Sequence, residues 1–360
     1  MGAVRKPSSK PPGDAEGEKY DPLAAWDVNE DDFPRRGSLP EKLRFLLRYA
    51  ILAPSPHNTQ PWRFRVRDVG IDLYIDWTRT LDISDPDHRK LFISCGAALF
   101  NLQVALRHFG YTDRVEILPE SGEPDLVARV NAGDSPRQAG EERFDFAAIV
   151  KRHTSRARFE QRPLPGGLLN AFTEAAHEHG AWLHIVEAED EREALGALVA
   201  KADRRQMASE DFRRELATWL HPNRYPGGDG MPGYALGIGN VLSFAAPLVV
   251  RTFDIGRGKA AEDKQIVDGS PLLAVLGTAT DDPEDWVHAG QALESIVLRA
   301  QAEGVSSSFL NQPVEVPELR TRLVESLELN GYPQMVLRMG YGAPARETPR
   351  RPQEDFLIRD

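Results

Sequence analysis

The stretch Ala-Pro-Ser-Pro-His-Asn-Thr-Gln-Pro-Trp at residues 53–62 is the most informative part of this sequence. It follows an amphipathic helical pattern, which its prolines end because proline lacks a backbone N–H and restricts the residue before it. The resulting stiff loop presents four hydrogen-bonding side chains, those of Ser55, His57, Asn58 and Gln60. A simple connection from a helix to a strand needs only a glycine and a short polar link. We therefore interpret residues 53–62 as a binding loop that Trp62 anchors to a core.

The overall composition is that of a globular protein, and it narrows the function classes. The chain has 360 residues, enough for about two ordinary domains or one large one, with 41% hydrophobic and 28% charged residues. Its net charge of −11 argues against nucleic-acid binding, which needs clustered positive charge. No stretch has the length and apolarity of a membrane span, and the first residues lack the apolar core of a signal peptide. We expect a cytoplasmic protein with no nucleic-acid or membrane partner.

Cysteine and histidine usage argues against a metal centre. Cys95 is the single cysteine, which excludes an intrachain disulfide framework and a multi-cysteine metal site. It lies in an apolar run, where a buried and inert thiol is expected. His177 and His179 are two residues apart on a predicted helix, so their side chains point in different directions and make poor metal ligands. We predict no metal site.

The order of predicted elements divides the chain into two similar halves. The predicted parts are a disordered or loosely docked arm at 1–37, a first half at 38–140, a second half at 141–344 and a tail at 345–360. The first half begins with a helix at Ser38, because Glu41 three residues later completes a capping box. Helix, strands, long apolar helix and strand then follow in that order in both halves.

A residue-level repeat supports this division. Four residues of the first long apolar helix match four of the second at a constant offset of 194: Gly96, Ala98, Leu99 and Gly110 match Gly290, Ala292, Leu293 and Gly304. A later strand at 126–130 resembles 335–339. Two buried helices can look alike because both need small and apolar faces, but the constant spacing and the matching strand favour duplication. We expect an α+β fold of two mixed or antiparallel sheets wrapped by helices, with the halves packed as a single-chain pseudo-dimer.

A second polar motif, Arg152-His153-Thr154-Ser155-Arg156, follows a predicted helix in the second half. Guanidinium groups match phosphate oxygens in pairs, and hydroxyl groups supply further donors. The motif is therefore suited to hold a phosphate monoester. Taken by itself, the segment is better explained as a solvated turn of charged residues.

Together, the two motifs resemble those of nitroreductase-like flavoproteins. The pattern Ala-Pro-Ser-x-x-Asn-x-Gln-Pro-Trp at 53–62 resembles that family's loop, and Arg-x-Thr-x-Arg at 152–156 resembles its flavin-phosphate motif, usually Arg-x-Ser-x-Arg. The helix ending at 303–304 and the strand ending at 338–342 resemble its C-terminal half. The family normally forms homodimers with two FMN sites at the interface. Here each half keeps one motif, which looks like the duplicated, Acg-like branch and implies one FMN site per chain across the pseudo-dimer interface.

The resemblance also implies roles for individual residues. The implied FMN ligands are Arg152, Thr154 and Arg156 at the phosphate and ribityl chain, Pro54, Ser55 and Asn58 from the opposite half, Glu303 and Gly304 beside the flavin ring, and Arg338 at the phosphate. Arg350 and Arg351 in the tail are further candidates for the phosphate. No catalytic dyad is expected, because the flavin carries the chemistry.

The implied activity is hydride transfer from NADH or NADPH through FMN to a small acceptor such as a nitroaromatic or a quinone. The glycines at 237–239 lack the third glycine of a dinucleotide fingerprint, so the nicotinamide is expected to bind only transiently. Since duplication replaces the usual partner chain, we expect a monomer, and further dimerisation stays open.

Residues 206–240 form a long insertion rich in aromatic residues, glycine and proline. Such insertions are usually functional or mobile. In the Acg-like branch a corresponding insertion acts as a lid over the flavin, and a long surface connection is the alternative. A permanently closed lid favours a second hypothesis, an FMN-sequestering protein with little reductase activity. A structural protein without flavin is a third hypothesis.

Overall fold

Two four-stranded sheets, one in each half of the chain, form the framework of the molecule. The computed structural model describes residues 20–120, 122–134, 143–254, 258, 266, 267 and 269–359. The first half contains helix α1 (Leu39–Ala50), strands β1 (Trp62–Arg67) and β2 (Gly70–Ile75), helix α2 (Arg89–His108), and strands β3 (Tyr111–Ile117) and β4 (Leu126–Asp134). Short 3-10 turns lie at Ala24–Trp26, Glu30–Asp32, Pro56–Asn58 and Trp77–Arg79.

The second half repeats this order and carries additional helices. In chain order it contains α3 (Arg143–Ile149), α4 (Gly166–Glu178), β5 (Ala181–Ile185), α5 (Glu189–Ala208), α6 (Glu210–Thr218), β6 (Leu220–His221), β7 (Met231–Pro232), α7 (Asn240–Ser243), α8 (Ala246–Thr252), β8 (Leu272–Thr278), α9 (Pro283–Ala302), β9 (Ser306–Phe309), α10 (Gln312–Glu315), α11 (Pro317–Ser326), β10 (Tyr332–Gly340) and α12 (Gln353–Phe356). A further 3-10 turn spans Gly233–Leu236.

The two sheets have the same topology. Their strand orders are β1-β2-β4-β3 and β5-β8-β10-β9, and every ladder in both is antiparallel. The helices correspond as well, with α1 matching α4 before the first strand and α2 matching α9 before the third. The predicted α+β class is therefore confirmed, with antiparallel sheets. The shared order supports the internal duplication.

The long helices α2 and α9 cross at the glycines of the sequence repeat. A Cβ placed on Gly96 would lie 2.1 Å from the carbonyl oxygen of Val287, and one on Gly290 would lie 2.1 Å from that of Ile93. Each contact is the other shifted by the repeat offset of 194 residues. Reciprocal contacts of this kind are those of an isologous twofold interface. Here the interface lies within one chain.

Local signals set the ends of these helices. Ser38 and Glu41 form the predicted capping box at the start of α1, with the Ser38 N–H donating to Glu41 Oε2 at 2.7 Å. At the end of α9, Gly304 has a φ of 72° and donates to the Gln301 carbonyl, while Val305 donates to that of Ala300. This bond pair is a Schellman motif, which requires a left-handed residue that glycine supplies without strain.

Hydrophobic packing covers the second sheet on both faces. Alternate residues of β8 and β10 pack with α4 and α9 on one face and with α5 and α11 on the other. In the first half, α1 and α2 pack with the first sheet into one large core. No helix within the described parts of the chain combines the length and apolarity needed to cross a membrane.

Three segments lie outside this framework. Residues 1–19 of the predicted arm lie outside the described residues, whereas residues 20–37 are docked on the molecule, with Trp26 and Phe33 buried. The insertion between β5 and β8 spans 186–271, and so extends beyond the predicted 206–240 on both sides. The tail packs on the edge of the first sheet, where the Ile358 N–H donates to the Phe64 carbonyl at 2.8 Å.

Candidate functional site

The loop between α1 and β1 adopts a strained backbone. His57, Asn58 and Gln60 have φ angles of 50°, 58° and 52°, in the left-handed region that residues other than glycine rarely adopt. Within the loop, the Ser55 hydroxyl accepts a hydrogen bond from the Gln60 N–H at 2.9 Å. Strained conformations of this kind persist only where the surrounding structure enforces them.

The insertion and the tail both hold this loop. Asn58 donates from Nδ2 to the carbonyls of Gly230, at 3.1 Å, and Pro349, at 2.8 Å. Gln60 donates from Nε2 to the Gly228 carbonyl at 2.8 Å, and its Oε1 accepts from a tail N–H at 3.0 Å. Both amide side chains are therefore used in bonds between segments of the protein.

The part of the insertion that reaches the loop is residues 228–235, here called the capping segment. Its Asp229 carboxylate accepts from Arg79 Nη1 at 2.9 Å and lies 3.8 Å from His221 Nε2. Burial opposes the charge of Asp229, but hydrogen bonds and charges of His221 and Arg79 outweigh it and lower the pKa to about 2. At the other end, Arg156 donates to the Ala235 carbonyl at 3.3 Å. The capping segment thus joins the predicted loop to the predicted arginine motif.

Strand β9 and Arg338 position the arginine motif. Thr154 forms an isolated parallel bridge with Ser307, and the Ser155 N–H donates to the Ser307 carbonyl at 2.9 Å. The buried Arg338 donates from Nη2 to the carbonyls of Ser155 and Ala157, both at 3.0 Å. These bonds give Arg338 a supporting role behind the motif, whereas the resemblance implies a direct phosphate contact.

Two arginines from distant parts of the chain meet at the C-terminal end of α1. Arg152 and Arg350 each donate from Nη2 to the Leu52 carbonyl at 2.9 Å, and Arg350 also reaches the Ala53 carbonyl at 3.2 Å. Burial, together with the charge of Arg152, lowers the pKa of Arg350 to about 9. Burial and both arginines lower the pKa of His153 to about 3, so this imidazole is neutral at pH 7.

A single buried carboxylate accompanies these cations. Glu294, in the middle of α9, is 0% exposed, and its Oε1 lies 3.3 Å from Arg152 Nε. Burial raises the pKa of Glu294 to about 7, although Arg152 opposes the shift. We call Arg152, His153, Glu294 and Arg350 the inner cluster. Two arginines facing one weakly acidic carboxyl leave this cluster with a net positive charge.

The arm supplies one wall of the inner cluster. The Trp26 ring lies 4.3 Å from the His153 ring, edge to face, and the Arg350 guanidinium carbon lies 4.6 Å from the Trp26 ring centre. Trp26 Nε1 donates to the Thr348 carbonyl of the tail at 2.8 Å. Residues of the arm, both halves and the tail therefore converge at this point.

A second group, here called the outer cluster, consists of His57, Lys90, Arg156 and Glu315. Lys90 Nζ lies 2.8 Å from Glu315 Oε1, and Gln206 donates to Glu315 Oε2 at 2.6 Å. Burial and the charges of Lys90 and Arg156 lower the pKa of His57 to about 4, against the opposing charge of Glu315. With His57 neutral, this cluster also has one more positive than negative charge.

Arg156 is the accessible member of the outer cluster. Its side chain is exposed, and none of the described carboxylates forms an ion pair with it. Desolvation by surrounding protein nevertheless lowers its pKa. Arg156 is thus exposed although neighbouring protein desolvates it, and an anionic or electron-rich ligand could reach it.

The structure connects the two predicted motifs. Through the capping segment and the Leu52 carbonyl, it joins the loop that carries Asn58 to Arg152 and Arg156 of the arginine motif. Pro54 and Ser55 belong to the same loop as Asn58, and Thr154 lies between the two arginines in the sequence. Pro54 and Ser55 are half-buried, whereas Asn58 is buried and bonded to the insertion and tail.

Glu303 and Gly304 are an exception. Both are exposed at the C-terminal end of α9, where the Schellman motif accounts for the Glu-Gly pair. From the same part of the sequence, the charge of Glu315 on α10 acts on His57 of the predicted loop. The placement of Glu303 and Gly304 beside the flavin ring stays a prediction, which their exposed positions do not support.

Sequence reasoning did not identify Lys90, Glu294, Glu315 or Trp26 as site residues. Lys90 lies near the start of a largely apolar helix, and Glu294 lies within the second such helix. A charged residue in a mostly buried helix is the signal that could have identified both as site residues. The Lys90–Glu315 pair joins residues 225 positions apart, so sequence spacing gives no indication of it.

Comparisons with known proteins complete the description of the site. No family model matches the chain. It is 33% identical over 318 residues to "Putative NAD(P)H nitroreductase Rv3131" of Mycobacterium tuberculosis, with 86% of this chain and 89% of that protein covered. It is 25% identical over 324 residues to "Putative NAD(P)H nitroreductase acg" of the same organism, with 88% and 96% covered. Among solved structures, the FMN and NADPH-dependent nitroreductase NfnB from a Sphingopyxis species aligns with 60% of this chain and 98% of its own, at 20% identity and a TM-score of 0.41.

Proposed function

Because the chain belongs to the NAD(P)H nitroreductase family, we propose that it is an FMN-dependent oxidoreductase with one cofactor site between its halves. It would carry a hydride from NADH or NADPH to a small acceptor such as a nitroaromatic or a quinone. The observation that carries this proposal is the pair of cationic clusters. The outer cluster combines side chains of both halves, and the inner cluster joins Arg152 of the second half and Arg350 of the tail to the Leu52 carbonyl of the first half, where the loop and the arginine motif approach each other.

The inner cluster fits a phosphate group. It has excess positive charge, and its two guanidinium groups converge on one carbonyl. The buried Nδ1 of His153 has no hydrogen-bond partner among the described residues, so a ligand oxygen would satisfy it. Arg152, His153, Thr154 and Arg350 would hold the FMN phosphate and the adjoining ribityl chain. Arginine forks suit phosphate because they offer paired donors at fixed spacing.

The outer cluster fits the ring end of the cofactor. FMN supplies the hydride chemistry, so the protein needs to bind, orient and exclude water. Lys90 and Arg156 outnumber the single carboxylate of Glu315, and this net positive charge favours added electron density on a neighbouring ring. His57 would face the same space as a neutral imidazole, because its pKa of about 4 lies well below physiological pH.

Asn58 and Arg338 would act on the site indirectly. The Asn58 amide donates to both the insertion and the tail, which fixes the strained loop that carries Pro54 and Ser55. Arg338 fixes the backbone beside Arg156. In this proposal the loop approaches the cofactor through Pro54 and Ser55, and Asn58 sets its shape.

One observation favours a second candidate function, that of an FMN-sequestering protein with little reductase activity. The capping segment bonds to Asn58, Gln60, Arg79 and Arg156, so it spans from the loop to the arginine motif. If these bonds persist in solution, a nicotinamide or an acceptor would be kept from the ring. The capping segment would then be a closed lid.

A visible spectrum followed by anaerobic reduction distinguishes the candidates. The purified protein, loaded with FMN and freed of excess, is expected to show the yellow flavin absorbance and to bleach when NADPH or NADH is added without oxygen. A yellow protein that does not bleach with either reductant, yet bleaches with dithionite, would support sequestration. A protein that stays colourless after incubation with FMN would contradict both.

A further inference from the structure

Glu294 is a buried acidic group that the proposed chemistry does not use. It is fully buried, and neither carboxylate oxygen has a hydrogen bond of good geometry among the residues that the structure describes, although the Asn101 side chain acts on it as a weaker donor. Its close polar contact is the 3.3 Å approach to Arg152 Nε. A carboxylate buried without hydrogen bonds is costly when ionised. Packing alone therefore does not explain why a carboxyl group occupies position 294.

The groups that face Glu294 come from three other parts of the chain. Arg152 follows α3, Arg350 lies in the tail, and Asn101 lies on α2, and all three favour the ionised carboxylate. Burial outweighs them and raises the pKa of Glu294 to about 7. His153, whose pKa of about 3 keeps it neutral in the empty site, faces the same two arginines and is the other group in the cluster that could take up a proton when a phosphate dianion binds.

The charges of the inner cluster change when a phosphate enters it. Without a ligand, two guanidinium groups face at most one negative charge. A phosphate monoester is a dianion above its second pKa of about 6. With the dianion bound and Glu294 ionised, three negative charges would face two positive ones in a buried site. One proton taken from solvent onto a Glu294 oxygen returns the sum to zero.

We propose that Glu294 is a positioning residue that holds Arg152 in the empty site and yields it to the cofactor's phosphate, so that FMN binding is accompanied by uptake of one proton. The Glu294–Arg152 pair keeps the guanidinium oriented and lowers the net positive charge of the empty site. The protonated carboxyl then leaves Arg152 free to neutralise the phosphate. This inference rests on the proposed function, because it requires the phosphate to bind at the inner cluster.

Calorimetry of the cofactor-free protein tests the coupling. Titrations with FMN at pH 8 in two buffers of different ionisation enthalpy give the number of protons taken up. The expected value is about one per FMN, with an FMN affinity that falls about tenfold per pH unit between pH 7 and 9. Riboflavin, which lacks the phosphate, serves as the matched ligand and is expected to bind more weakly with no proton uptake.

The variant Glu294→Gln tests whether Glu294 is the residue that takes up the proton when FMN binds. The amide cannot titrate, so the variant is expected to bind FMN without proton uptake and with an affinity that is flat between pH 7 and 9. Uptake that persists in the variant would overturn the inference, because the proton would then go to His153 or to the phosphate. The wild-type measurement does not depend on the folding of any variant, and no uptake there would overturn the inference as well.

The comparison of FMN with riboflavin distinguishes a failure of this inference from a failure of the proposed function. If FMN binds at least tenfold more tightly than riboflavin but without a proton, the phosphate site stands and the role of Glu294 is wrong. If FMN does not bind, or binds no better than riboflavin, the phosphate assignment itself fails and the inference fails with it.

Discussion

The two halves of the chain share a topology but differ in the connection that follows their first helix. In the first half, residues 51–61 lie between the end of α1 and the start of β1. In the second half, only His179 and Gly180 lie between α4 and β5. The eleven-residue connection carries the binding loop, whereas the two-residue connection has no room for one.

The segment that precedes the first helix of each half differs in the opposite sense, since here the second half has the binding motif and the first half lacks it. The second half carries the arginine motif there, while the corresponding stretch of the first half contains Phe33. Phe33 is buried, stacked at 4.2 Å on Phe109 and edge to face with Phe45 at 5.5 Å. The neighbouring Arg35 and Arg36 are exposed, so this stretch supplies a buried aromatic residue to the core where the second half has the arginine motif. The first half therefore has the loop without the arginine motif, and the second half has the arginine motif without the loop. This supports one site per chain, whereas a symmetric dimer would have two.

The largest expected effect comes from breaking the crossing of the two halves. Gly96→Ala and Gly290→Ala each place a Cβ 2.1 Å from a carbonyl of the other helix. We expect each to lower the free energy of unfolding by about 3 kcal/mol or more, since overpacking at a backbone contact forces the helices apart. Urea unfolding followed by circular dichroism measures this loss.

The control for the glycine variants is Gly166→Ala at the start of α4. A Cβ there meets nothing within 4 Å. Its unfolding free energy should stay within about 1 kcal/mol of the wild type. Equal stability of all three variants would show that α2 and α9 are not held together at these glycines.

The next effect concerns the arginine motif of the second half. Arg152→Ala removes a guanidinium from the inner cluster, and we expect FMN affinity to fall about a hundredfold or more. Arg152→Lys keeps the charge without the fork and should lose about tenfold. Arg63→Ala, at an exposed position on β1, is the matched control and should bind FMN normally. Fluorescence titration of FMN measures all three, and normal binding by Arg152→Ala would refute the phosphate assignment.

A smaller effect concerns the pH dependence of stability in the cofactor-free protein. Because burial raises the pKa of Glu294 from 4.5 to about 7, the folded state keeps a proton that the unfolded chain has lost across this range. Stability should therefore fall as the pH rises from 4.5 to 7, by about 3 kcal/mol in all. Glu294→Gln should lack this component. Urea unfolding of both proteins at pH 5 and 8 measures it, and identical pH profiles would contradict it.

The smallest effect concerns the capping segment that joins the halves. Asp229→Ala removes its ion pair with Arg79, and we expect the bound flavin to be reduced by NADPH about three- to tenfold faster, because lid opening often limits such reactions. Asp211→Ala, an exposed carboxylate on α6, is the control and should leave the rate unchanged. Stopped-flow absorbance measures both rates. Equal rates in the wild type and Asp229→Ala would show that this segment does not gate the ring.

The sequence was most predictive where the signal was local. The capping box at Ser38, the prolines of the loop and the paired glycines Gly96 and Gly290 each act within a few residues or through a repeated spacing, and the structure confirms the elements that they predict. The α+β class and the common order of the halves followed from the same signals.

The sequence could not show contacts that depend on distant parts of the chain. Asn58 bonds to carbonyls 172 and 291 positions away, so its type could not reveal that its amide is already used. The Glu-Gly pair at 303–304 resembles a family motif and is also an ordinary helix ending, and only the backbone geometry separates these interpretations. Trp26 appeared to belong to a disordered or loosely docked arm, because nothing near it in the sequence indicates the tail on which it packs.

The most direct test of the account is the stoichiometry of FMN. The protein is saturated with FMN, freed of excess by gel filtration and denatured, and the released flavin is then compared with the protein concentration. We predict about one FMN per chain, because only one pairing of the loop with the arginine motif exists between the halves. A value near two would show that both symmetry-related sites bind, and a value near zero would show that the cationic clusters do not hold this cofactor.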